Sequence, residues 1–292
     1  MIRQVSKQDL LLSYPFESMQ PFLKLIKEAA SDSSVLSIKI TLYRIARESK
    51  LAEYLITAAE NGKEVMVLME LRARFDEQNN IEWAQRLEEA GCNVIYGFDG
   101  YKVHSKICLI TRSDHGKISY IAQIGTGNYN EKTSKLYTDL SLITANPAIC
   151  SDAVAFFNNM ALGNLEGKYQ HLWIAPVGLK PGVMDAIEKE ISKARSGRPA
   201  RVIMKMNSLT DKDVIDKLAE ASQAGVEIKL IIRGICCLIP GLEGMTDRIS
   251  VISICLLYTS SLPVSSCFRH SCNVQQPQDL FTLYRTFLIT SD

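Results

Sequence analysis

Four histidines occur in 292 residues, and His104 stands two places before Lys106 in YKVHSKICLI (101–110), at the mouth of an apolar run. In a β-strand beginning at 104, the two side chains would project from one face. Further along, GTGNYN (125–130) sets two glycines around Thr126. Glycines there let the backbone approach a ligand closely, and Asn128 adds an amide donor. These groups suit a phosphoryl centre. His104 is the nucleophile as neutral imidazole, Lys106 neutralises oxygen charge, and Asn128 with the Gly-rich turn positions the group. Histidine attack on phosphorus gives a phosphoramidate, labile enough to pass the group on.

Arginines extend the pattern. Arg44 in TLYR, Arg72 and Arg74 in LRARFDE, and Arg233 in LIIRG each follow an apolar run. Ligands of open α/β sheets bind outside the carboxyl ends of the strands, and arginine's planar fork matches phosphate oxygens. Several arginine-bearing strand ends point to an anion larger than one phosphate.

The elements that would position these residues alternate. Met19, Phe22, Leu23 and Ile26 have helical spacing within 19–30. VLSIKITLY (35–43) alternates, with Leu36, Ile38, Ile40 and Leu42 on its apolar face. A helix over 49–61 closes at Gly62, and EVMVLMEL (64–71) is apolar enough for a parallel strand covered on both faces. A helix over about 77–90 and strands at 92–97, 104–111 and 118–125 follow. A strand at 200–206, a helix over 211–225 with Asp211 as N-cap and Gly225 as stop, and a strand at 227–234 repeat the theme. Alternating strands and helices specify an α/β fold.

Composition is globular: 47% apolar and 22% charged, with a net charge of +1. That charge gives no bulk attraction to nucleic acid, so an anion site must be local. No apolar run is long enough to span a bilayer, and MIRQVSKQDL lacks a signal-peptide apolar core. The eight cysteines show no CxxC spacing and read as reduced thiols in a cytoplasmic protein.

The two halves share a strand–helix–Gly–strand plan, through Lys39 and Gly62 in one and Lys205 and Gly225 in the other, which suggests an internal duplication. A duplicate of His104 would fall near SLPVSSCF (261–268), where no histidine stands, and His270 has no lysine beside it. From Cys255 onward the chain has no Lys or Glu and no clean period. Residues 255–292 are therefore expected to be an aberrant tail, poorly ordered or loosely attached.

HxK followed by GxxN resembles the phospholipase D superfamily, in which two such half-sites meet. TLYR (41–44), ARFDE (73–77), YKVHSK (101–106), GTGNYN (125–130), LYTDL (136–140), IMKMNSL (203–209) and SQAGVEIKLIIRGICCL (222–238) together resemble the polyphosphate kinase family over residues 8–254. The resemblance implies two phospholipase D-like α/β domains, 1–171 and an incomplete 172–254. It implies reversible transfer of the ATP terminal phosphate to inorganic polyphosphate through a phosphohistidine, with Mg2+. On that resemblance His104 matches the phosphorylated histidine. Arg44 and Arg74 match the magnesium–phosphate site, acting through phosphate because a guanidinium has no lone pair for a metal. Tyr137 and Arg233 match nucleotide- and phosphate-contacting positions. Homo-oligomers are implied, with ATP, ADP and polyphosphate as partners and neither nucleic acid nor an integral membrane segment. The family's second histidine and its N-terminal half are absent here. Two alternatives stand beside this: a phospholipase D-type phosphodiesterase, and an inactive polyphosphate-binding remnant.

Overall fold

The computed structural model describes residues 1–71 and 77–253. It divides into one unit over Met1–Gly178 and a second beginning at Leu179. Arg72, Arg74 and the tail from 255 lie outside the described residues.

The first unit runs α1 (Ile2–Val5), β1 (Leu10–Tyr14), α2 (Gln20–Ser31), β2 (Val35–Leu42), α3 (Lys50–Glu60), β3 (Glu64–Met69), α4 (Glu77–Glu89), β4 (Asn93–Tyr96), β5 (Ile107–Asp114), β6 (Lys117–Gly125), β7 (Asp139–Thr144) and α5 (Pro147–Ala161). Its seven strands form one sheet in the order β1-β7-β6-β5-β2-β3-β4. The pairs β2–β3 and β3–β4 are parallel, whereas β2–β5, β5–β6, β6–β7 and β7–β1 are antiparallel. The α/β class read from the sequence holds, but the sheet is mixed.

This topology decides where the site can be. The strand β5 runs against β2, with Cys108 opposite Ile40, so the start of β5 lies beside the end of β2. Likewise β6 finishes where β5 begins, with Ile124 opposite Ile107, and β7 starts there, with Ser141 opposite Gly125. One end of the sheet therefore collects the carboxyl ends of β2, β3 and β6 and the amino ends of β5 and β7.

Two local expectations need correction. The strand β5 begins at Ile107, so His104 and Lys106 precede it and strand alternation does not govern them. The Thr41 hydroxyl donates to the Ser105 carbonyl at 2.7 Å and accepts from the Ile107 amide at 3.1 Å, so a side chain holds the segment where a strand ladder was expected. In β2 both faces are largely buried, and Leu36, placed on the apolar face, is 47% exposed. A strand central to a sheet loses the polar side that simple alternation implies.

The core beneath the sheet includes Phe22, Leu23 and Ile26 of α2, Leu51 and Leu55 of α3, and Ile38, Ile40 and Val67 of the strands, each at most 2% exposed. Burying one such side chain contributes about 1.5–3 kcal/mol, so this cluster secures the strands whose ends carry the site.

The second unit runs α6 (Leu179–Arg195), β8 (Arg201–Met206), α7 (Lys212–Gln223), β9 (Glu227–Ile232) and β10 (Ile249–Ser253). Its sheet, ordered β10-β9-β8, is parallel throughout. Asp211 caps α7 by accepting from the Val214 amide at 3.1 Å, as its sequence position indicates. Among the described residues, no helix is long and apolar enough to cross a membrane.

Candidate active site

The centre of the site is assembled by Tyr43, the first residue past β2. Its ring meets the His104 imidazole edge-on, with centroids 4.9 Å apart at 78°. The Lys106 ammonium lies 5.3 Å from its centroid and the Arg44 guanidinium carbon 5.7 Å. Both are within the roughly 6 Å reach of a cation–π contact. Three residues singled out in the sequence thus meet a fourth, Tyr43, that was not singled out there.

The Tyr43–Arg44 turn is held by α4. The Asn80 amide donates at 2.8 Å to the Tyr43 carbonyl and at 2.8 Å to that of Glu70. Asn79 and Trp83 donate to the carbonyls of Ile45 and Ala46, at 2.8 and 3.0 Å. A loop leaving a buried strand carries carbonyls that water cannot reach, and each must find a donor. Asparagines in a first helical turn are the sequence signal for such service.

The histidine segment is held from the other side. The buried Glu70 carboxylate accepts from the Val103 amide at 2.9 Å, just before His104. Lys106 turns back to donate to the His104 carbonyl, and its own carbonyl accepts from the Gly125 amide at 2.8 Å. That last bond ties GTGNYN to the HSK segment.

Only 4% of Lys106 is exposed. Burial pushes its pKa down to about 7, Arg44 pushes the same way, and Asp139 opposes them. Desolvation disfavours the charged form, and an arriving phosphate would restore it.

Asp139, at the start of β7, accepts from the Thr126 hydroxyl at 2.6 Å, and that hydroxyl accepts from the Leu140 amide at 3.0 Å. A Cβ on Gly127 would fall 2.5 Å from an Asp139 carboxylate oxygen. The glycine is thus required by the aspartate packed against it, besides any ligand. Below the turn, Tyr129 stacks on Phe22 at 5.1 Å and donates to Gln123, which donates to Ser141 at 2.9 Å.

Asn128 lies on this turn, partly buried, with a side-chain oxygen that is buried and has no hydrogen-bond partner. Tyr137 is half-buried just beyond a single 3-10 turn over Thr133–Lys135. Arg74 lies outside the described residues. Arg233 belongs to the second unit, exposed one residue past β9, with its amide donating to the Met206 carbonyl at 3.3 Å. Glu70, Asp139 and Tyr43 were not singled out from the sequence. Tyr43, two residues after Thr41 on one strand face, was the most accessible of them.

Magnesium was expected beside Arg44 and Arg74, which offer no lone pair. Among the described residues, no group of three or more His, Cys, Asp or Glu is placed to hold a metal ion.

The family model "Polyphosphate kinase C-terminal domain 1" matches residues 1–165, and "Polyphosphate kinase C-terminal domain 2" matches 172–260. The chain belongs to the polyphosphate kinase family. Curated relatives named polyphosphate kinase include those of Staphylococcus haemolyticus, 49% identical over 85% of this chain and 34% of the relative, and Bacillus cereus, 48% identical over 85% and 35%. This family member thus spans about a third of the length of the curated relatives it matches. The crystal structure of polyphosphate kinase from Porphyromonas gingivalis superposes with a TM-score of 0.76 at 37% identity, covering 86% of this chain and 42% of that one.

Proposed function

We propose that this chain carries the phosphohistidine-forming site of an ATP:polyphosphate phosphotransferase, with His104 as nucleophile. The observation that carries the reading is the cluster of His104, Lys106 and Arg44 around one tyrosine ring at one sheet end, in a member of the polyphosphate kinase family.

An unprotonated ring nitrogen of His104 attacks the terminal phosphorus of ATP. The N–P bond forms as the bond to the bridging oxygen breaks, and that electron pair leaves with ADP. In the second half, a terminal oxygen of polyphosphate attacks the same phosphorus and the N–P electrons return to the imidazole. The steps reverse when ADP is the acceptor. Lys106 and Arg44 offset the charge on the phosphoryl oxygens, and Asn128 orients them. By the family resemblance, Tyr137 and Arg74 serve the nucleotide and phosphate in the first unit, and Arg233 is a phosphate-contacting residue of the second. The magnesium that accompanies ATP would be held through the phosphate oxygens that Arg44 and Arg74 bind, and would add charge neutralisation there.

The same reading has two duplicated phospholipase D-like domains, 1–171 and 172–254, followed by the unrelated tail 255–292. It also has homo-oligomers, and a cytoplasmic protein with no nucleic-acid partner. The only histidine after His171 is His270, which has no HxK pattern. The first half-reaction is therefore expected without efficient chain elongation.

The test is incubation of the 292-residue chain with terminally labelled ATP and magnesium. Acid-labile, base-stable label that disappears in His104→Ala supports the reading. Label that persists in His104→Ala, or resists acid, moves the nucleophile elsewhere. A folded chain that takes no label supports the non-catalytic polyphosphate-binding alternative.

A further inference from the structure

The geometry points to Tyr43 as a positioning residue whose ring holds His104, Lys106 and Arg44 in register for phosphoryl transfer, an inference that rests on the reading proposed above. Three contacts converge on this one ring: the imidazole in a T-shaped arrangement with centroids 4.9 Å apart, the Lys106 ammonium at 5.3 Å and the Arg44 guanidinium carbon at 5.7 Å. Two cations beside one histidine repel each other, and Asp139 opposes that repulsion. The negative face of an aromatic ring also stabilises nearby cations, and its quadrupole favours a T-shaped arrangement of the neighbouring ring.

The ring can do this because its own backbone is fixed. The Tyr43 carbonyl accepts from Asn80 at 2.8 Å, and the preceding Leu42 carbonyl accepts from the Glu70 amide at 2.9 Å. Tyr43 is therefore clamped to both β3 and α4, while its side chain spans to the histidine segment. Neither an aliphatic nor a small residue at 43 would supply the quadrupole. Phenylalanine would supply it in full, because the contacts are made by the ring.

The test compares Tyr43→Phe with Tyr43→Leu in the full chain, with Tyr43→Met as a second aliphatic substitution should leucine impair folding. The His104 ring protons, assigned by their loss in His104→Ala, report the contact through the ring current of Tyr43. Tyr43→Phe should keep that displacement and label from ATP at close to the wild-type rate. Tyr43→Leu, with circular dichroism unchanged, should move the His104 resonance towards that of an unstacked histidine and slow labelling by about tenfold or more, the scale of a desolvated cation–π contact. Wild-type labelling in Tyr43→Leu, or an unmoved His104 resonance, would overturn the role of Tyr43 and leave the proposed function standing. A slow Tyr43→Phe would overturn it too, because the hydroxyl and not the ring would then matter. Absence of label in the wild type removes the proposed function itself, and this inference with it.

Discussion

The segment β2–α3–β3 in the first unit and β8–α7–β9 in the second are built to one plan. Each helix starts on a side-chain cap: Ser49 accepts from the Ala52 amide at 3.3 Å and Asp211 from Val214 at 3.1 Å. Each is followed by a glycine at positive φ, Gly62 at 77° and Gly225 at 98°, and each pair of strands is parallel. The surroundings differ. Five of the six residues of β3 are buried, whereas β9 buries only alternate residues, Ile228, Leu230 and Ile232. In the first unit a run of antiparallel strands continues the sheet from β2 and brings the HSK and GTGN segments back to the parallel strand ends. Among the described residues, the second unit has no antiparallel strand. A parallel βαβ scaffold thus places an arginine past a strand end, Arg44 or Arg233, but the histidine–lysine cluster needs strands running the other way.

The largest test of that contrast is the buried lysine. The folded pKa of Lys106, near 7, lies below its unfolded value near 10.5. Between those values the unfolded chain binds the extra proton, so this group makes stability rise with pH; below about pH 7 its burial penalty is fully present. Lys106→Met should therefore stabilise the fold by about 1–4 kcal/mol near pH 6, as removal of a buried charge can. The gain should shrink as pH rises towards 10, while labelling is lost. In the second unit Lys229, ion-paired with Glu227 at 3.0 Å and half-exposed, should tolerate Lys229→Met within about 0.5 kcal/mol at either pH. Urea unfolding of both variants at pH 6 and pH 9 measures this, and equal responses would erase the contrast.

A smaller effect is expected from two glycines. Gly127→Ala puts a Cβ 2.5 Å from Asp139, whereas Gly234→Ala meets the Asn207 carbonyl at 3.0 Å and the Ser208 hydroxyl at 3.1 Å. Overpacking of the first kind costs about 1–3 kcal/mol, and the second should cost less. Thermal unfolding of the two variants checks the order, and labelling should fall only in Gly127→Ala.

The smallest effect tests what the units share. Ser49→Ala and Asp211→Ala should each cost about 1 kcal/mol, the usual worth of an N-cap. A cap that proves silent in one unit would show that the common plan is only a likeness of shape.

Much of the scaffold was legible along the chain. The near-continuous apolar run EVMVLMEL (64–71) announced a strand covered on both faces, and Asp211 and Gly225 bounded their helix, because caps and periodicity act within a few residues. His104, Lys106, Asn128 and Arg44 were visible as chemistry-bearing types beside glycines and strand ends. The start of β5 was misplaced because the bond that replaces its ladder comes from Thr41, far away in sequence. Asp139 was passed over because its partner Thr126 and its neighbour Gly127 lie on a different strand end.

By itself, then, the sequence determined many of the helices and strands, where several of them stop, and which residue types could handle phosphate. The tertiary structure alone decided that β5 runs against β2, that β6 and β7 continue the sheet, and that Tyr43 gathers an imidazole, an ammonium and a guanidinium around one ring. The physical reason is range. Propensity, capping and periodicity are written in neighbouring residues, whereas strand direction and side-chain convergence depend on contacts between segments that meet only once the sheet has formed.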